Sequence, residues 1–156
     1  MKSSFRSAAC VGAVAGMLLP GLAPGASAGA GKAVSIICTG KTTVDAQGGS
    51  GTVAGVCHGS LSGALKGAGG GTEALPCYDY TGKVTIKGHG SSLAMKATPD
   101  QQICFKATTG TVIPVAGHVN VTGATGAFRA RRGTLAFKAR YNRETGALTV
   151  TFTGTL

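Results

Sequence analysis

Residues 133–155 read GTLAFKARYNRETGALTVTFTGT. From Gly133 to Tyr141, Leu135, Phe137, Ala139 and Tyr141 fall on one face, and Thr134, Ala136, Lys138 and Arg140 on the other. From Ala147 to Thr155, Leu148, Val150 and Phe152 alternate with Thr149, Thr151 and Thr153. Side chains of an extended chain alternate between faces, so a period of two marks a strand with one buried side. Asn142–Gly146 separates the two runs and predicts a hairpin connection ending in glycine.

The same habit extends upstream. Val84 and Ile86 alternate with Lys83, Thr85 and Lys87; Leu93, Met95 and Ala97 alternate with Ser92, Ala94 and Lys96; Ile103 and Phe105 continue the pattern. Helical periodicity is nearly absent. Short strands rich in Thr and Val, punctuated by glycine, predict an all-β sandwich or barrel. The stretch KGAGGGTE, centred on Gly67–Gly71, is expected to be a flexible loop.

Composition narrows the function. The chain of 156 residues fits one domain, and 43% hydrophobic residues suffice for a core. Its 27 glycines follow no three-residue period, which excludes collagen. Five acids leave few candidates for carboxylate catalysis, and no G-x-S-x-G anchors a serine hydrolase. Fifteen Lys and Arg raise the net charge to +10.

Residues 1–28 read as a secretory signal peptide. Lys2 and Arg6 precede an apolar run from Ala8 to Leu19, Pro20 and Pro24 break it, and Ala26-Ser27-Ala28 is a small-x-small cleavage site. The run is shorter than the roughly 20 residues of a spanning helix. A single exported, extracellular domain over 29–156 is therefore expected, with no membrane span. Without Lys2 and Arg6 the charge falls from +10 to +8.

Cys10 leaves with the leader, so Cys38, Cys57, Cys77 and Cys104 remain. An even count in a small exported domain predicts two disulfides, with three connectivities open. Folding Ala33–Ala46 against Gly49–Leu65 about Gln47-Gly48 sets Cys38 opposite Cys57. Folding the strands about Gly90-Ser91 sets Cys77 opposite Cys104, although Thr98-Pro99-Asp100 should interrupt one of them. Metal binding is not expected, because no C-x-x-C occurs and His58, His89 and His118 lack zinc-ligand spacing.

Residues 119–133 read VNVTGATGAFRARRG. The physics of this segment is a sharp glycine turn, then a one-turn excursion that plugs Phe128 into the core before a strand starts at Gly133. It resembles the G-G-T-G-x-F-x-x-A-x-G signature of the dirigent and allene oxide cyclase-like β-barrels. Gly123, Thr125, Gly126, Phe128 and Gly133 match, and Arg129 and Arg132 match arginines that many dirigent proteins carry. Ala124 replaces the second glycine, awkward if that position needs a positive φ, and Arg131 stands where a small residue is usual. The hairpin through Glu144-Thr145-Gly146-Ala147-Leu148-Thr149-Val150 is also similar, so the resemblance spans Val115–Thr155. It implies a single antiparallel β-barrel of about eight strands, here disulfide-bonded, often a trimer, with an apolar cavity. Plant members guide phenoxy-radical coupling or cyclise an allene oxide without a cofactor.

The expected function is that of a secreted binding protein for a small apolar ligand or an anionic surface polymer, with no cofactor and no assigned catalytic residue. Tyr78, Asp79 and Tyr80 are candidate ligand contacts, and Arg129, Arg131 and Arg132 a candidate anionic surface. Nucleic acid is disfavoured, since no aromatic platforms interleave the basic residues. Two alternatives stand beside this reading. A cofactor-free isomerase or coupling-guiding enzyme would need Asp79 or an arginine pointing into the barrel. A protease inhibitor would present Leu75-Pro76-Cys77-Tyr78 as a disulfide-braced loop.

Overall fold

The computed structural model describes residues 31–44, 50–74, 77–97, 103–105 and 110–156, with side chains described outside 72–80 and 103–105. The signal-peptide segment 1–28, the Gln47-Gly48 turn and Leu75-Pro76 lie outside the described residues. Residues 31–156 form one compact unit.

Among the described residues, nine strands account for most of it. In chain order they are β1 (Ala33–Val44), β2 (Ser50–Gly59), β3 (Gly63–Ala74), β4 (Cys77–Gly88), β5 (Ser91–Ala97), β6 (Ile103–Phe105), β7 (Val112–Thr125), β8 (Gly133–Asn142) and β9 (Ala147–Thr155). The sheet runs β3-β2-β1-β9-β8-β7-β5-β4, and β4 pairs back onto β3. Every neighbour is antiparallel, so the sheet closes on itself as an eight-stranded barrel with no free edge. The short β6 occupies the place between β4 and β7 that β5 vacates. The strand pattern left sandwich and barrel open, the resemblance implied a barrel of about eight strands, and closure of β4 on β3 makes it one.

That closure corrects one expectation. KGAGGGTE is strand, since β3 pairs with β2 through Gly69 and Gly70 and with β4 through Gly69, Gly70 and Gly71. Glycine has low strand propensity because nothing packs on the sheet from it. Here the ladders on both flanks override that preference.

The cysteine registers are those expected. Cys38 faces Cys57 and the two are bridged, with Cα atoms 4.0 Å apart. Cys77 stands opposite Cys104 in the β4–β6 ladder. The route to that second register differs in detail. The β4–β5 turn is His89-Gly90, one residue earlier than expected, with Gly88 opposite Ser91 and Gly90 at φ 65°. A two-residue turn needs this left-handed backbone, which glycine adopts without strain. Between Gly82↔Ala97 and Cys77↔Cys104, β4 advances five residues while the facing chain advances seven. The two extra residues fall in the stretch that contains Pro99.

One end of the barrel is packed. Ile36, Leu65, Ile86, Leu93, Met95 and Leu135 fill it together with the Cys38–Cys57 bridge. The segment after β7 closes this end. Gly126 begins a 3-10 turn over Gly126–Phe128, at φ 59°, where a Cβ would collide with the Gly90 carbonyl and Ser91. The Ala127 amide donates to Ser91 Oγ at 3.0 Å, tying the turn to the start of β5. Phe128 enters the core at 1% exposure, and the Lys32 ammonium sits 5.2 Å from its ring centre. Ala124 needs no positive φ: it lies in β7 opposite Leu93. The strained position is Ala130 instead, at φ 61°.

Candidate functional site: an apolar barrel cavity

The other end is hollow. A cavity of about 450 Å³ opens where β1 and β8 end and β2 begins. Its walls differ in kind. On one side Phe137, Phe152, Leu148 and Val150 project inward from β8 and β9. Phe137 and Phe152 are direct cross-strand partners with ring centroids 6.2 Å apart. On the other side Val53, Leu65 and Val84 are followed toward the mouth by a row of bare backbone. Gly51 on β2 faces Gly69 on β3, Gly69 faces Gly82 on β4, and Gly82 faces Ala97 on β5. All four line the cavity, as do Gly70 and Gly71.

This row explains the volume. Cores of folded domains leave few voids larger than a water molecule. Here four adjacent strands meet at one level with no side chain larger than a methyl group, and nothing fills the space opposite the phenylalanines.

Polar groups gather at the mouth. Thr42, Tyr141 and Arg143 line it from β1, β8 and the β8–β9 connection. That connection is well braced. Asn142 Oδ1 accepts from the amides of Glu144 and Thr145, at 3.0 and 2.9 Å. The Thr42 amide donates to the Gly146 carbonyl, and the Arg143 amide to the Thr111 carbonyl. The Thr111 hydroxyl bonds Glu144 Oε1 at 3.0 Å. Arg143 therefore stands on a fixed turn at the rim.

The sequence candidates distribute differently. Phe128 and Gly126 close the packed end, away from the hollow one. Arg131 donates from Nη1 to the Leu156 carbonyl at 3.0 Å, so it ties down the last residue of the barrel. Arg132 Nη1 reaches the Arg131 carbonyl, and Arg129 is exposed beside it. The backbone of Tyr78, Asp79 and Tyr80 pairs with Glu73, Thr72 and Gly71, and their side chains lie outside the described residues. The arginine that lines the cavity is Arg143, which is not among the candidates read from the sequence. Gly51, Gly69 and Gly82 were missed because their role depends on strand register. Among the described residues no group of three His, Cys, Asp or Glu could hold a metal ion, and no helix is long and apolar enough to cross a membrane.

No family model matches the chain, and neither a curated protein nor a solved structure matches it.

Proposed function

We propose that this protein is an exported barrel that binds a small apolar ligand in its hollow end. The carrying observation is the Gly51–Gly69–Gly82–Ala97 row, which holds open a cavity of about 450 Å³ against an aromatic wall. Glycine inside a strand costs roughly 0.5–1 kcal/mol relative to alanine. Gly69 and Gly82 give up stability for space, while Gly51 is also held by close packing, since a Cβ there would stand 2.9 Å from the Thr43 carbonyl oxygen. Pockets of roughly 300–1,000 Å³ with apolar walls suit small ligands. The resemblance to dirigent and allene oxide cyclase-like barrels supports the same reading. Export is supported by the leader pattern and by the Cys38–Cys57 disulfide, a bond favoured outside the cytosol.

A second reading has one observation in its favour. A cofactor-free isomerase or coupling-guiding enzyme needs a polar group on the cavity wall, and Tyr141 and Arg143 supply two at the mouth. The inhibitor reading has less support. Of its segment, Cys77 and Tyr78 pair with β3 on one side and β6 on the other, so these two residues offer no unpaired backbone to a protease, and Leu75-Pro76 lie outside the described residues.

Native mass spectrometry of the protein from culture medium tests the proposal. The expected result is a bound small mass that survives gentle ionisation and leaves on denaturation, in the parent protein but not in Gly69→Leu. A protein that stays empty when incubated with apolar ligand libraries would overturn it. Release of a rearranged product from a bound ligand would favour the enzyme reading.

A further inference from the structure

The outer surface of the glycine-walled strands carries a different signal. Lys66 on β3, Lys83 and Lys87 on β4 and Lys96 on β5 are all exposed. Lys83 and Lys96 are direct cross-strand partners. Such a pair holds its Cβ atoms about 5 Å apart, and like charges there destabilise a sheet. Lys66 faces Thr85, so it lies diagonal to both Lys83 and Lys87. Around them stand Ala64, Ala68, Thr85, Ser92 and Ala94, none of which overhangs an ammonium. Glu144, the one carboxylate whose side chain is described, is bonded to Thr111 beyond the far rim. The acids of β3 and β4, Glu73 and Asp79, stand at the opposite end of the ladder; Asp79 faces Thr72, four positions from Lys83.

We infer that this face is a docking surface for a linear acidic polysaccharide. Lys83 to Lys87 covers roughly 13 Å along β4, and β3 to β5 roughly 10 Å across the sheet. Four ammoniums over that area match the repeating charges of a chain better than a single anion. Lysine presents a hydrated point charge without the fork that arginine offers to one phosphate or carboxylate. No aromatic side chain stands among the four, and the exposed large apolar residue beside them is Val56 on β2, diagonal to Lys66. A bilayer interface engages several large apolar groups, and a single-stranded nucleic acid stacks on aromatic ones. None of the four lysines lines the cavity, so this inference stands apart from the ligand proposed above.

The test measures binding to heparin and to polygalacturonate between 50 and 200 mM salt. Lys83→Gln/Lys96→Gln is compared with Lys41→Gln/Lys138→Gln, which removes the same charge from exposed positions on β1 and β8. The first variant is expected to bind at least tenfold more weakly and with a shallower salt dependence, and the second within twofold of the parent. Thermal melting should show the first variant at least as stable as the parent, because the like-charged pair is gone; this separates lost binding from lost folding. Equal weakening by both variants would reduce the effect to net charge and overturn the inference. Tighter binding to anionic vesicles or to oligo-dT than to either polysaccharide would overturn the choice of partner.

Discussion

Gly69 on β3 stands directly opposite Gly82 on β4, and both face the barrel cavity. Neither is among the glycines with a left-handed backbone, so neither is required by a positive φ. What a side chain at either position would occupy is the cavity itself. Gly69→Val should therefore raise stability by roughly 1 kcal/mol, since valine suits a strand and covers apolar wall. The same variant should lose bound ligand. Melting and native mass spectrometry on one sample check both; a valine variant that still carries the ligand would remove the cavity from the argument.

The Cys38–Cys57 bridge joins residues 19 apart and is buried at the packed end. Cross-linking a loop of that size stabilises by about 3 kcal/mol in the chain-entropy model. The double variant Cys38→Ala/Cys57→Ala should lose about that much, a drop on the order of 10 °C in Tm. Urea melts of parent and variant measure it, and a loss well under 1 kcal/mol would contradict the expectation.

Backbone register sets Cys77 opposite Cys104 as it sets Cys38 opposite Cys57. Non-reducing peptide mapping should accordingly recover a Cys77–Cys104 peptide. A Cys57–Cys77 peptide would contradict both registers at once.

Phe128 fills the closed end at 1% exposure, while Ala130 two residues later holds φ at 61°. Phe128→Ala should cost about 3–5 kcal/mol, the usual loss for a buried phenylalanine. Ala130→Gly should have the opposite sign and gain up to about 1 kcal/mol, because a left-handed backbone strains a Cβ and not a glycine. Chemical denaturation of the two variants side by side tests the assignment. If Ala130→Gly destabilises, the strain reading of this turn is wrong.

Much of the fold was legible in particular residues. The Leu148, Val150, Phe152 alternation marks β9, and Asn142–Gly146 marks its turn, because period two and turn chemistry are local properties. The Cys38 register was legible because a hairpin's turn fixes every pairing beyond it. The VTGATGAF segment was readable for the same reason: its glycine turn and its buried Phe128 are neighbours in sequence.

The sequence by itself determined an all-β chain, several of its hairpins and a basic charge, and it predicted the Cys38–Cys57 register that the structure shows bridged. Tertiary structure alone decided that β4 closes on β3, that KGAGGGTE is a strand, and that Gly51, Gly69 and Gly82 share one level. It also decided that Arg143 lines the mouth while Arg131 holds Leu156. The physical reason is range. Alternation and turn preference act over a few residues, whereas a cavity exists where strands distant in sequence meet with nothing between them.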